Sequence, residues 1–415
     1  MNPGFTFIHA ADLHLGSPFA ALALKDEDVA RRFAQASRAA FTALVDQALE
    51  IGAAFMVVSG DVYDGDWADH SIGLFFNKQV ARLARAGIPV FLIKGNHDAA
   101  SIVTKSITLP ETVREFPTRK ADTHRLEHLK VAIHGRSFQD RAVEENLALT
   151  YPAAVPGWFN IGLLHTSCAG SPNHATYAPC SVADLCGRDY DYWALGHVHD
   201  YAELSQEPWV VFPGNLQGRS IRECGPKGAV AVEVADGRVT ALRRLVVDQA
   251  RWAMVDVDLA EVADPRAALD VIESAIRPET EAAGGRLLAI RVRLGGETPL
   301  HGQLMAERES FIEEVQAAAH RCHEDVWLEK VKFDTRPPAR RAEPHAGSLD
   351  PVGLLHQLDR DPDFRAGAHE LIAQILAKMP GGMADDDAPL LQDELDALCA
   401  EAEAMVINRL SGRAC

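Results

Sequence analysis

Five short polar motifs, each standing at the end of an apolar run, constrain this chain more than any other feature. They are Asp12-x-His14, Gly60-Asp61-Val62-Tyr63-Asp64, Gly95-Asn96-His97-Asp98, His165 in Leu163-Leu164-His165-Thr166, and Gly196-His197-Val198-His199. The runs before them, FTFIHAA, AAFMVVS, IPVFLIK, FNIGLL and DYWAL, read as buried strands. Residues 28–50 and 71–86 carry apolar positions near helical spacing, and Gly87 is a stop signal after the second of these. Further strands are expected at 131–134, 160–164, 192–195 and 210–212. Residues 229–234 and 239–247, joined by Asp236-Gly237, read as a hairpin. Strands alternating with helices need a sheet covered on its faces, and the hairpin makes that sheet mixed. In such sheets ligand sites gather at the carboxyl ends of strands, so motifs far apart in sequence can converge.

The residue types in these motifs suit a pair of cations. Carboxylate, imidazole and amide oxygen together fit manganese, iron or zinc. One carboxylate can bridge two ions, and Asp61, turned by the glycine before it, is the candidate. Side chains alternate along an extended chain, which pairs Asp12 with His14 and His197 with His199. Each motif alone is unspecific; the ordered set is not. His9 and His134 lie within or at the edge of strands with no partner motif and read as structural.

With 415 residues, two or three domains are expected. The first is placed at 1–250. Residues 251–335 follow a β-α-β-α-β order, including one helix over 265–276 and one over 303–320, and form a small α+β domain. Arg336-Pro337-Pro338 and Arg340-Arg341 then mark a linker, and 336–415 reads as linker and acid-biased helices. The formal charge of −18 argues against a surface that binds nucleic acid everywhere, but leaves room for a local basic groove. Lys330, Lys332, Arg336, Arg340 and Arg341 are either a strip for a phosphate backbone or a solvated linker. Seven cysteines, an odd number without a C-x-x-C, give no disulfide framework or zinc ribbon, which points to free thiols in a reducing cytoplasm. No signal peptide and no apolar run of membrane-spanning length is visible, so a soluble cytoplasmic protein is expected.

The order D-x-H, GD-x-x-D, GNHD, H, GH-x-H resembles the signature of the calcineurin-like metallophosphoesterases. The opening FIHAADLHLGS, Phe212 to Arg219 (FPGNLQGR), Glu223 and GPKG at 225–228 resemble the SbcD-type DNA repair exonucleases, and their YhaO-like bacterial branch most of all. The resemblance implies a four-layer α-β-β-α sandwich, a capping α+β domain and a helical C-terminal tail. It implies two divalent metal ions, Mn2+ foremost, with Fe, Zn and Mg as alternatives. One ion would be held by Asp12, His14, Asp61 and His199, the other by Asp61, Asn96, His165 and His197. His97 would face the substrate as general acid or transition-state stabiliser, with Asp98 orienting its ring. Arg219 and Arg222 would contact DNA phosphates. Some nucleases of the family carry a second histidine where this chain has Asp64, which leaves the balance of exo- and endonuclease action open.

The reaction implied is in-line attack of cation-activated water on phosphorus. The partners implied are DNA, a coiled-coil ABC-type ATPase of the SbcC or YhaN kind, and a second copy joined through the first helices. The tail leucines Leu390, Leu391, Leu395 and Leu398, interleaved with acids, fit either docking on that ATPase or packing on their own domain. Two other readings stay open: a small-molecule phosphodiesterase or phosphatase on the same fold, and a catalytically weak scaffold subunit of an ATPase complex.

Overall fold

The computed structural model describes residues 4–17, 19, 22, 26–64, 70–100, 109–168, 178–338 and 361–376, with 399, 402 and 406. Arg340, Arg341 and the tail leucines Leu390, Leu391, Leu395 and Leu398 lie outside the described residues. The chain divides into two compact units, one of 1–19 with 30–252 and one of 20–29 with 253–415.

The first unit opens with β1 (Phe5–Ala10), α1 (Glu27–Ile51, which begins in the residues of the second unit), β2 (Phe55–Ser59), α2 (His70–Arg85), β3 (Val90–Ile93), α3 (Asn96–Ala100) and β4 (Val113–Glu115). It continues with β5 (Asp122–Leu126), β6 (Val131–Gly135), β7 (Phe159–His165), α4 (Val182–Cys186), β8 (Tyr192–Gly196), β9 (Ala202–Gln206) and β10 (Trp209–Phe212). β11 (Gly228–Ala235), β12 (Arg238–Val246) and the first residues of β13 (Ala250–Asp258) follow. Two six-stranded sheets result, ordered β12-β11-β1-β2-β3-β4 and β5-β6-β7-β8-β10-β9. Both are mixed: β1, β2 and β3 run parallel, as do β6, β7, β8 and β10, while β11 pairs antiparallel with β1.

Strand alternation builds the layers. In β1 and β2, Phe7, Phe55 and Val57 point between the sheets and meet Val131, Ile133, Phe159, Ile161 and Tyr192 of the second sheet. Ile8, Met56 and Val58 point the other way, onto Phe41, Leu44, Phe76 and Val80 of α1 and α2. The outer face of the second sheet, with Leu164, Trp193 and Leu195, is covered by Leu147, Tyr151 and Leu185. This is the four-layer sandwich. Among the described residues its fourth layer is thin, a 3-10 turn at Leu147–Thr150 and the one-turn helix α4.

β4, β5 and β9 had no counterpart in the sequence pattern. All three are edge strands with mostly exposed or half-exposed side chains, so no apolar run announces them.

The second unit contains the three-stranded sheet β13-β14-β15, with β14 (Leu287–Gly295) parallel to β15 (Val326–Phe333). Ile290, Val292 and Leu294 of β14 pack on Ile272 and Ile276 of α5 (Pro265–Ala283) and on Val315 and Ala319 of the helix before β15. Asp264 caps α5 by accepting from the Ala267 amide, and Gly284, at φ +60°, ends it. The helix expected to stop at Ile276 continues through Pro278, because Ile276 and Ala283 bury one continuous face. The helix expected over 303–320 is two, α6 (His301–Ala306) and α7 (Arg308–Cys322), broken at Glu307. A last helix, α8, spans Pro362–Leu376. No helix among the described residues is long and apolar enough to cross a membrane.

Candidate metal centre

The carboxyl ends of β1, β2, β3, β7 and β8 come together where the two sheets meet. Polar contacts hold the sheets at this edge: Ser59 Oγ donates to the Ala194 carbonyl at 2.8 Å, and the His197 amide donates to the Asp12 carboxylate at 2.9 and 3.1 Å. His9 is inserted between the sheets, with Nε2 donating to the Leu195 carbonyl at 3.0 Å and Nδ1 accepting from Tyr192 Oη at 2.9 Å. Its burial drives its pKa down to about 3, so it is a neutral strut. His134 likewise sits in a structural network, with Thr123 and Asn160.

The backbone at this edge is strained. Asp12, His14, Asp61 and His197 have φ of +51°, +42°, +52° and +104°, a region that costs a non-glycine residue about 1–3 kcal/mol. The approach is also close: a Cβ on Gly95 would lie 2.2 Å from Asp61 Oδ1, and one on Gly196 would lie 2.0 Å from the Ser59 carbonyl oxygen. Hence glycine precedes both Asn96 and His197.

Three sets of donor atoms lie within 4.8 Å of one another: Asp12, His14 and His199; His14, Asp64 and His97; and Asp61, His165 and His197. Their tautomers fit a cation. His165 Nδ1 donates to the Ser59 carbonyl at 2.9 Å, which turns Nε2 into the site to take a cation, a proton in the metal-free chain or a metal ion. That Nε2 faces Asn96 Oδ1 at 2.9 Å and Asp61 Oδ2 at 3.3 Å. Acceptors turned on one another in a buried site repel unless a positive charge lies among them. On the other side His14 Nε2 and His199 Nε2 are 3.1 Å apart. The charges of this edge shift its titration. Burial raises Asp61, but the charge and hydrogen bond of His165, with His14 and His97, outweigh it and hold Asp61 well below the usual carboxylate range. Asp12 is pushed up to about 6, mainly by burial.

The structure therefore brings Asp12, His14, Asp61, Asn96, His165, His197 and His199 to one edge, with His97 beside them. It places Asp98 differently from the expectation. The Asp98 carboxylate accepts from the amides of Val62, Tyr63 and Gly95 at 3.0–3.1 Å, and so braces the two loops that carry Asp61 and Asn96. The side chain against the His97 ring is Asp64, with Oδ1 2.9 Å from Nδ1 in a charge contact that misses hydrogen-bond alignment. Burial lowers His97, but Asp64 and Asp61 outweigh it and raise its pKa. Arg219 is turned into the site, its NH1 2.9 Å from Asp64 Oδ2, whereas Arg222 is exposed. Glu223, quoted in the sequence motif without a role, lies 2.7 Å from His199 Nδ1. Spacing alone could not assign it, because it reaches the site from a loop rather than a strand end.

Comparison with known proteins agrees with this geometry. Residues 5–201 match the family described as calcineurin-like phosphoesterase, and residues 252–336 match the metallophosphoesterase YhaO middle domain. The chain is 32% identical over 383 residues to the uncharacterized metallophosphoesterase YhaO of Bacillus subtilis, covering 89% of this chain and 93% of that protein. The chain belongs to the calcineurin-like metallophosphoesterases, hydrolases that use divalent metal ions. It is also similar to proteins named DNA double-strand break repair protein Mre11. That of Methanopyrus kandleri is 22% identical over 93% of this chain and 84% of its own length. That of Thermoplasma acidophilum is 26% identical over 57% of this chain and 64% of its own length.

Proposed function

We propose that this metallophosphoesterase is a DNA nuclease that hydrolyses phosphodiester bonds with two divalent ions, manganese foremost, in DNA repair. The observation that carries the hydrolytic part is the buried set of carboxylate, amide and imidazole donors described above, with one imidazole left at its rim. The similarity to proteins named for double-strand break repair supports DNA as the substrate.

In this reading Asp12, His14, Asp61 and His199 hold one ion, and Asp61, Asn96, His165 and His197 hold the other. When bound, the pair would activate water at neutral pH and offset charge on the phosphoryl oxygens. His97 is a quarter exposed, so it is open to substrate while its Nδ1 side rests on Asp64. Its Nε2 would hold the proton that the leaving oxygen takes. Asp98 keeps the Asp61 and Asn96 loops in register through their amides. Arg222, exposed in the loop after β10, is the candidate phosphate contact. The partner of this reading is a coiled-coil ABC-type ATPase, docked through the C-terminal region that contains α8, whose Phe364 and Leu371 are exposed.

The test is degradation of end-labelled linear duplex DNA with added Mn2+, beside an Asp61→Ala variant and a cyclic-nucleotide substrate. Cleavage of DNA reduced by about 10³-fold or more in the variant is the expected result. Turnover of the cyclic nucleotide with intact DNA would move the protein to the small-molecule phosphodiesterases.

A further inference from the structure

The loop between β10 and β11, residues 213–227, is fastened to its surroundings by side-chain bonds. Gln217 Nε2 donates to the Ala250 carbonyl at 2.6 Å, and its Oε1 accepts from the Gln249 and Ala250 amides at 2.9 and 3.1 Å. Trp252 Nε1 donates to the Gly218 carbonyl at 3.2 Å. Gly218 itself has no room for a side chain, since a Cβ there would lie 2.7 Å from the Glu223 carbonyl oxygen. All this rigidity serves one carboxylate. Glu223 Oε2 accepts from Asn215 Nδ2 and from the Arg219 amide, both at 2.7 Å, and Oε1 points at His199 Nδ1 at 2.7 Å.

A carboxylate only accepts, so the His199 contact requires the proton on Nδ1. In the neutral ring the lone pair is then on Nε2, the atom that faces His14 Nε2. A buried carboxylate needs a counter-charge. Arg219 supplies it, with NH2 3.4 Å from Glu223 Oε1 and NH1 2.9 Å from Asp64 Oδ2. The guanidinium thus spans the two carboxylates that flank the site, one behind His199 and one beside His97.

We propose that Glu223 is the positioning residue for the metal ligand His199: it fixes the tautomer and direction of that ring, with Arg219 as its internal counter-charge. The proposal rests on the two-metal reading above, in which His199 is a ligand. Partners of this kind typically change metal affinity 10–100-fold when removed.

Two measurements on the full chain decide it. Metal-stripped wild type and Glu223→Gln are titrated with Mn2+ by calorimetry. Wild type takes up two ions per chain; the variant keeps two, one of them bound about 10–100-fold more weakly and the other unchanged within about twofold. Equal affinities in both proteins would overturn the proposal. Histidine ring 15N spectra of the metal-free wild type do not depend on the Glu223 variant folding. They should show a ring protonated on Nδ1 whose signal is absent from His199→Gln; a His199 protonated on Nε2 alone would overturn the proposal. A wild type that takes up fewer than two ions would instead sink the two-metal reading, while the tautomer still decides the part of Glu223.

Discussion

The two units solve the burial problem in opposite ways. Among the described residues of the second unit, the only buried polar side chains are Thr298 and Thr335, and Glu261 is the only non-glycine residue at positive φ. Its sheet alternates cleanly: Ile290, Val292 and Leu294 face the helices, while Arg291 and Arg293 on the other face pair with Glu329 and Asp256. The first unit also has an apolar core, with Phe7 and Phe55 stacked at 5.0 Å between its sheets. Yet at one edge it buries Asp12, His14, Asp61, Asn96, Asp98 and His165, and it holds four residues there at strained φ. A fold that only had to be stable would gain nothing from that arrangement. Local rule-breaking concentrated at one edge, in contrast to a unit that keeps the rules, marks where the molecule works.

The largest effect that would break this contrast is at His97. His97→Asn should slow hydrolysis by about 10²–10⁴-fold while the metal content of the chain stays that of wild type. Steady-state rates and elemental analysis on the same preparation check both halves. Loss of the metals together with the rate would make His97 part of the ligand set rather than the group that faces substrate.

The contrast also explains what could be read from the sequence. Strands buried on both faces, such as β2 and β7, show as unbroken apolar runs, and the polar residues after them stand out by position. Asp12, Asp61, Asn96, His165 and His197 were therefore legible as a set that one edge of the sandwich could gather. Edge strands β4, β5 and β9 were not, since pairing on one side alone demands little hydrophobicity. The side chain beside His97 was also misassigned. Asp98 follows His97 directly, but adjacent residues in the one-turn helix α3 point apart, and three amides claim its carboxylate. Asp64 reaches the ring from another loop, a contact that only the tertiary structure supplies. Pro278 inside α5 is the converse case, where a local stop signal lost to burial on either side of it.

Removal of a core side chain sharpens the comparison from the other unit. Ile290→Ala, in the middle of β14, should lower stability by about 2–5 kcal/mol, read by denaturant unfolding followed through a signal of the second unit. Metal uptake by the first unit should be unchanged. Lost uptake would show that the strained edge depends on the regular unit for its geometry, and the division of labour argued above would fall.

The smallest effect tests whether the polar interior next to the site is strut or machinery. His9 is completely buried between the sheets, and its folded-state pKa is depressed from 6.5 to about 3. The sign follows from proton binding. Above pH 6.5 both folded and unfolded chains carry a neutral ring, and His9 makes no pH-dependent contribution. Below pH 6.5 the unfolded chain takes up a proton that the folded chain refuses, so stability falls as the pH falls, until the folded ring also protonates near pH 3. The slope from this one group is at most about 1.4 kcal/mol per pH unit. Measured in metal-free protein, the stability of wild type relative to His9→Gln should therefore decline between pH 6.5 and pH 4 and be flat above pH 7. Parallel profiles across that range would mean that the ring is protonated where it stands. His9 would then belong with the charged groups of the metal edge and not with the neutral frame that holds the two sheets together.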